Sequence, residues 1–139
     1  MDTNLNKNHQ LTLEFPIKWI EMDAYQHLNN ARYFDYFTEF RFQWLLIHPE
    51  LREWFSLNKL QGLIVKQDCE YFRGVTFPDT LIITQTIQSL GTSSIHLHYS
   101  VMSKSQQKEC AQSHAILVCC DSQQKPTPIP ESIKRAFQN

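Results

Sequence analysis

Glycine is scarce, with three in 139 residues. So few cannot supply a glycine-rich phosphate cradle, and no Gly-x-Ser-x-Gly elbow occurs, which sets aside nucleotide-binding loops and the common serine hydrolases. Long apolar runs are missing too. The longest run of aliphatic and cysteine residues, 115–120, is six residues, where a membrane helix takes roughly 20. An excess of one charge is also lacking: thirteen Lys and Arg face fourteen Asp and Glu, a net charge of −1. Nucleic-acid binding therefore lacks its electrostatic footprint. The four cysteines, at 69, 110, 119 and 120, include no Cys-x-x-Cys spacing, so neither a zinc ribbon nor a redox pair is indicated. They read as small buried hydrophobes. The polar start, residues 1–10, lacks the apolar centre of a secretory signal. It reads as a mobile segment, and the chain as a cytoplasmic protein with no membrane span.

What is present is a core-forming composition: 42% hydrophobic, 12% aromatic and only 19% charged. At this length it predicts one globular domain over residues 1–139. Residues 11–19 alternate apolar and polar, the period of a half-buried strand, with Pro16 pushing the middle toward an edge or bulge. Residues 20–30 lose periodicity and crowd Glu21, Asp23, Gln26, His27, Asn29 and Asn30 together. From residue 31, Tyr33, Phe37, Phe40 and Trp44 recur at steps of four, three and four, a wide aromatic helical stripe that Pro49 stops. A short helix over 50–57 follows. Strands are expected over 63–71, 81–90, 94–103 and 110–121, with turns at Arg73-Gly74, Pro78-Asp79 and Gly91-Thr92. Residues 126–130 then lead to a short tail helix ending at Phe137. The layout is α+β, with one antiparallel sheet whose last four strands follow in hairpin succession.

The chemistry concentrates in residues 21–30, the loop that feeds the long helix. A helix amino terminus presents unpaired N–H groups and a positive dipole end, suited to a carbonyl oxygen that gains negative charge. Asp23, a few residues upstream, is placed to serve as general base or nucleophile on that carbonyl. The plainer reading is that Asp23 and Asn29 organise a turn, that Asn29 or Asn30 caps the helix, and that His27 bonds a nearby backbone group. His96 and His98 share one strand face, as metal ligands can, but His114 is the only third candidate and lies on another strand. No metal site is predicted.

The run Trp19-Ile20-Glu21-Met22-Asp23-Ala24-Tyr25-Gln26-His27-Leu28-Asn29-Asn30-Ala31-Arg32-Tyr33, continuing through Phe34 to Arg41, resembles the signature of hotdog-fold acyl-CoA thioesterases. The nearest group is the 4-hydroxybenzoyl-CoA thioesterase-like family. Asp23 matches the catalytic aspartate, His27 the histidine and Asn29-Asn30 the paired asparagines. Gln26 stands where the family commonly has glycine, a position where a left-handed backbone would strain any other residue.

The resemblance implies a highly curved antiparallel sheet wrapped around one long central helix, residues 31–47. It also implies a homodimer or homotetramer with active sites between subunits, and an acyl-CoA substrate hydrolysed to carboxylate and free CoA without a cofactor. Asp23 would attack or activate water, the N–H near Asn30 would polarise the carbonyl, and His27 and Asn29 would complete the catalytic set. Tyr33, Lys66 and Arg73 are expected to bind substrate. A non-catalytic acyl or acyl-thioester binding protein is the alternative. Enoyl-thioester hydration fits less well, because it uses Asp and His in another local pattern.

Overall fold

The computed structural model describes residues 9–138. Of the polar start, residues 1–8 lie outside the described residues. Strand β1 (Gln10–Pro16) leads through a 3-10 turn (Trp19–Glu21) and the polar loop into helix α1 (Arg32–Ile47) and then α2 (Pro49–Leu57). Strands β2 (Gln61–Gln67), β3 (Glu70–Tyr71), β4 (Thr80–Leu90), β5 (Ser94–Ser103) and β6 (Lys108–Cys120) follow, and helix α3 (Glu131–Gln138) ends the described chain.

The sheet is antiparallel, in the order β1-β4-β5-β6-β2, with β3 also on β6. Two expectations are corrected here. Among the described residues the sheet is open, with β1 and β2 at its edges, and it is neither closed nor strongly curled around a helix. Nor is there one long central helix. The helical layer is divided, because Pro49 has no N–H to donate and forces His48 out of the helical region (φ −106°, ψ 87°), so α1 ends and α2 begins. The hairpin succession also fails at its first step. Strand β2 pairs with β6 at the far edge, and the chain after β3 crosses to bring β4 beside β1. The fold is a hotdog-like α+β arrangement.

Helix α1 buries Tyr33, Tyr36, Phe37, Phe40, Arg41 and Trp44, the face the aromatic spacing marks out. On β5, Ile95, Leu97, Tyr99 and Val101 point inward and meet this face. The Phe37 and Tyr99 rings stack at 4.8 Å, and Phe15 of β1 meets Tyr36 edge-on at 5.7 Å. Each large side chain removed from water here contributes on the order of 2 kcal/mol. This packing fixes α1 on the sheet and so fixes where its amino terminus points. Among the described residues no helix is long and apolar enough to cross a membrane.

Candidate active site

The polar loop is a tight hairpin. Asp23 N–H donates to the His27 carbonyl (2.8 Å), Gln26 N–H to the Asp23 carbonyl (2.9 Å) and Asn29 N–H to the Glu21 carbonyl (3.0 Å). Closing it needs one left-handed residue, and Gln26 takes that conformation at φ 61°. The strain foreseen at this departure from glycine is therefore present and held, at a typical cost of about 1 kcal/mol. Below the hairpin, Glu21 is buried and its Oε1 accepts the Lys18 N–H (2.8 Å) and the Tyr36 hydroxyl. Burial first, then the hydrogen bond to Glu21 and its charge, push the Tyr36 phenol upward. The loop is thus pinned to α1 through a buried carboxylate.

Within the hairpin the Asp23 carboxylate is used asymmetrically. Its Oδ1 accepts the N–H groups of Tyr25 (2.8 Å) and His27 (3.2 Å), while no donor among the described residues reaches Oδ2. Asp23 borders an open cleft of about 550 Å³ lined also by Trp19, Ile20, Met22, Gln26 and Phe77. One carboxylate oxygen is thus anchored by the backbone, and the other carries no hydrogen bond among the described residues.

Neither asparagine side chain caps the helix in the expected way. Ala31 is the N-cap residue and has no side-chain cap bond. Asn29 Oδ1 instead accepts the Ala31 N–H (2.9 Å), and the Asn29 carbonyl accepts the Arg32 N–H (2.9 Å). That leaves the Asn30 N–H without an acceptor among the described residues, at the positive end of α1. Tyr71 fixes this end by donating its hydroxyl to the Asn30 carbonyl (2.8 Å). The His27 ring lies against Gly74, where a Cβ would come within 2.7 to 2.8 Å of three ring atoms. Leu28 N–H meanwhile donates to the Val75 carbonyl (2.7 Å), so the segment after β3 is a floor for the loop.

A model of the thioesterase-like superfamily matches residues 17–137. The chain belongs to this hotdog-fold superfamily. It is 26% identical over 108 residues to the long-chain acyl-CoA thioesterase FadM of Escherichia coli K12, which covers 78% of this chain and 81% of that protein. The solved PA2801 protein of Pseudomonas aeruginosa is 27% identical with a TM-score of 0.76, over 91% of this chain and 96% of that one. The 1,4-dihydroxy-2-naphthoyl-CoA thioesterase Slr0204 of Synechocystis shares the fold, with a TM-score of 0.79 at 17% identity over 92% and 95% of the two chains.

Within this superfamily fold, the residues expected to bind substrate are not gathered at the Asp23 cleft. Tyr33 is buried, its ring edge-on to Tyr71 at 5.1 Å, and burial followed by the neighbouring Cys110 pushes its phenol far upward. Lys66 lies on β2 beside a separate depression of about 240 Å³ shared with Asp68, His96 and His114. Arg73 is exposed and directly precedes Gly74, the residue under His27. Burial pushes the thiols of Cys69 and Cys110 up to about 11 and that of Cys119 up to about 12. Those three stay protonated near neutrality and offer no thiolate nucleophile.

Three residues have supporting contacts that the sequence reading does not assign, although it places Asp79 in a turn and Glu21 in the polar loop. Glu21 stood among the loop polars with no signal of its burial. Asp79 holds the turn that enters β4, accepting the N–H groups of Thr80 (2.7 Å) and Ser105 (2.9 Å) and the hydroxyls of Ser105 (2.8 Å) and Ser103. Burial alone would raise its carboxyl, but these hydrogen bonds outweigh it and hold the group below its ordinary value. Arg41 is buried on α1, four residues after Phe37 and three before Trp44. That spacing was a usable signal, since it puts Arg41 on the aromatic stripe.

Proposed function

We propose that this chain is an acyl-CoA thioesterase in which Asp23 Oδ2 is the reactive group and the Asn30 N–H is the oxyanion donor. The observation that carries the reading is the division of labour in the hairpin: Oδ1 held by two backbone N–H groups, Oδ2 unengaged, and an unpaired N–H at the start of α1. In the general-base route Oδ2 takes a proton from water as the water oxygen adds to the thioester carbonyl. The negative oxygen of the tetrahedral intermediate is stabilised at the Asn30 N–H, the C–S bond breaks, and the proton passes to the CoA sulfur. In the nucleophilic route Oδ2 itself adds, CoA leaves, and water hydrolyses the mixed anhydride. His27 and Asn29 are positioning residues in either route, the first against Gly74 and the second through the Ala31 N–H. No metal or other cofactor enters either scheme.

The relatives bearing names support this class, one a long-chain and one an aryl acyl-CoA thioesterase. The active assembly in this reading is a homodimer or homotetramer with sites between subunits. Supporting that, Trp19, Ile20 and Tyr25 around the Asp23 loop are 73%, 74% and 83% exposed, an apolar patch of the kind that partners cover. CoA release from short, medium, long and aryl acyl-CoA esters, against a blank for the protein's own thiols, tests the activity. Turnover on one class is the expected result. Binding of acyl-CoA with no turnover anywhere on the panel would contradict the reading and favour a binding protein. Full activity in a species that sediments as a monomer would contradict the shared site.

A further inference from the structure

A second cleft, of about 530 Å³, opens between α1, α2 and β2, and it shares no lining residue with the cleft at Asp23. Its size is that of sites that take one small ligand. On α1 the lining includes Thr38, Arg41, Phe42 and Leu45, the i, i+3, i+4, i+7 spacing of one helix face. That strip is about 10 Å long at 1.5 Å per residue. Its first turn is polar and its second apolar, and Phe55 of α2 and Ile64 of β2 add to the apolar wall.

Arg41 is the one charged residue in this lining, and it is only 9% exposed. Its Nη1 donates to the Tyr99 hydroxyl oxygen at 3.3 Å and its Nη2 to Thr38 Oγ1 at 3.4 Å, both long, and its guanidinium carbon lies 5.9 Å from the Tyr99 ring centroid. Among the described residues no carboxylate forms an ion pair with Arg41. Tyr99 does not supply the missing anion. Burial pushes its phenol up to about 12 against the opposing pull of Arg41, and its hydroxyl donates to Gln85 Oε1 (2.8 Å). A guanidinium does not shed its proton, so burial leaves a cation without a counter-ion, one of the costliest groups a core can hold. Its planar fork matches a carboxylate at two points.

We propose that this cleft is a binding site for a free fatty acid, separate from the reacting centre proposed above and independent of the thioesterase reading. The fatty carboxylate pairs with Arg41 at the polar turn of the strip, and the alkyl chain lies along the apolar turn against Phe55 and Ile64. A narrow strip between a helix and a strand fits a linear chain better than a compact ring. An extended chain advances about 1.2 Å per bond, as three backbone bonds span 3.3–3.6 Å, so about ten carbons cover the strip.

The test is calorimetric titration of the full chain with decanoate, 1-decanol and methyl decanoate, which share the chain and differ at the polar end. Wild type should bind one decanoate per chain at least tenfold more tightly than either neutral compound, and decanoate alone should raise the thermal midpoint. Arg41→Met should bring the ratio of decanoate to 1-decanol close to one, and Arg41→Lys should keep part of the preference. Asp23→Asn should bind decanoate as wild type does. The comparison of the three compounds uses wild type alone, so it decides even if Arg41→Met does not fold. Equal binding of all three, or a preference unchanged in a folded Arg41→Met, would overturn the proposal. Binding lost in Asp23→Asn but kept in Arg41→Met would move the acid to the Asp23 cleft and also overturn it. Tighter binding of 2-naphthoate than of decanoate would assign the cleft to an aryl carboxylate instead. Sedimentation checks for a second copy of the chain: a wild-type dimer that takes up no decanoate and dissociates in Arg41→Met would give the cleft to that copy and contradict the fatty acid. None of these readouts needs turnover, so a protein that hydrolyses no acyl-CoA but binds decanoate through Arg41 would fail the thioesterase reading and uphold this one.

Discussion

The two ends of α1 hold charge by opposite means. At the amino end, Asp23 is anchored by backbone N–H groups of a short hairpin at the rim of an open cleft. In the carboxy half, Arg41 is buried among rings and held by the side chain of Tyr99 from β5 and by that of Thr38 one turn earlier on α1. Local backbone geometry can be set by a few neighbouring residues and survives exposure to water. A side-chain network depends on the whole core being in place. Changes to the Asp23 carboxylate should therefore separate activity from stability, whereas changes in the carboxy half should affect both.

The largest effect on stability is expected at Tyr99. Tyr99→Phe removes the acceptor of Arg41 and the donor to Gln85 together, leaving a buried cation with one long hydrogen bond. Urea unfolding should show a loss of about 3 kcal/mol; a loss below about 1 kcal/mol would mean that water already solvates the guanidinium. Asp79→Ala should cost about 2 kcal/mol at neutral pH through the lost charged hydrogen bonds. Because the folded-state carboxyl is held below its ordinary value near 3.9, its contribution is fully present above that value and disappears as pH falls through the folded-state value. Wild type should therefore lose stability in that acid window and the Ala variant should lack this component, as thermal midpoints across pH would show.

Next in size is Gly74→Ala, whose Cβ must displace the His27 ring. A stability loss of about 1–2 kcal/mol is expected, with turnover falling by at least tenfold because the floor of the loop moves. Wild-type turnover in this variant would remove His27 from any positioning role. The smallest effect is a gain. Gln26→Gly relieves a left-handed non-glycine residue and should raise stability by up to about 1 kcal/mol, and a loss would show that the Gln26 side chain contributes contacts of its own.

The legible parts of the molecule were those written in short-range pattern. The aromatic stripe of α1, the inward and outward alternation of β5 and the polar density of residues 21–30 all follow from spacing along the chain. The placement of β2 at the far edge beside β6 is a long-range pairing that no local pattern encodes, so hairpin succession was the wrong default. The divided helical layer was half legible, since Pro49 announced the break while the expected single central helix came from resemblance. At the site, the polar crowding and the resemblance drew attention to Asp23 and Asn30. That Asn29 binds Ala31 N–H and leaves Asn30 N–H unpaired depends on dihedral angles. Glu21 under Tyr36, His27 on Gly74 and Asp79 among Ser103 and Ser105 are meetings of distant segments, invisible until the chain is folded.

The most direct test of the central claim is kcat/KM of Asp23→Asn against wild type on the best substrate of the panel, with acyl-CoA binding and the urea midpoint measured on both. Asparagine keeps an oxygen for the two backbone N–H groups but has no carboxylate to act as base or nucleophile. The expected result is a fall of at least about 100-fold, with binding and stability close to wild type. Turnover within about threefold of wild type in a folded Asp23→Asn would contradict the assignment of Asp23 as the reactive group.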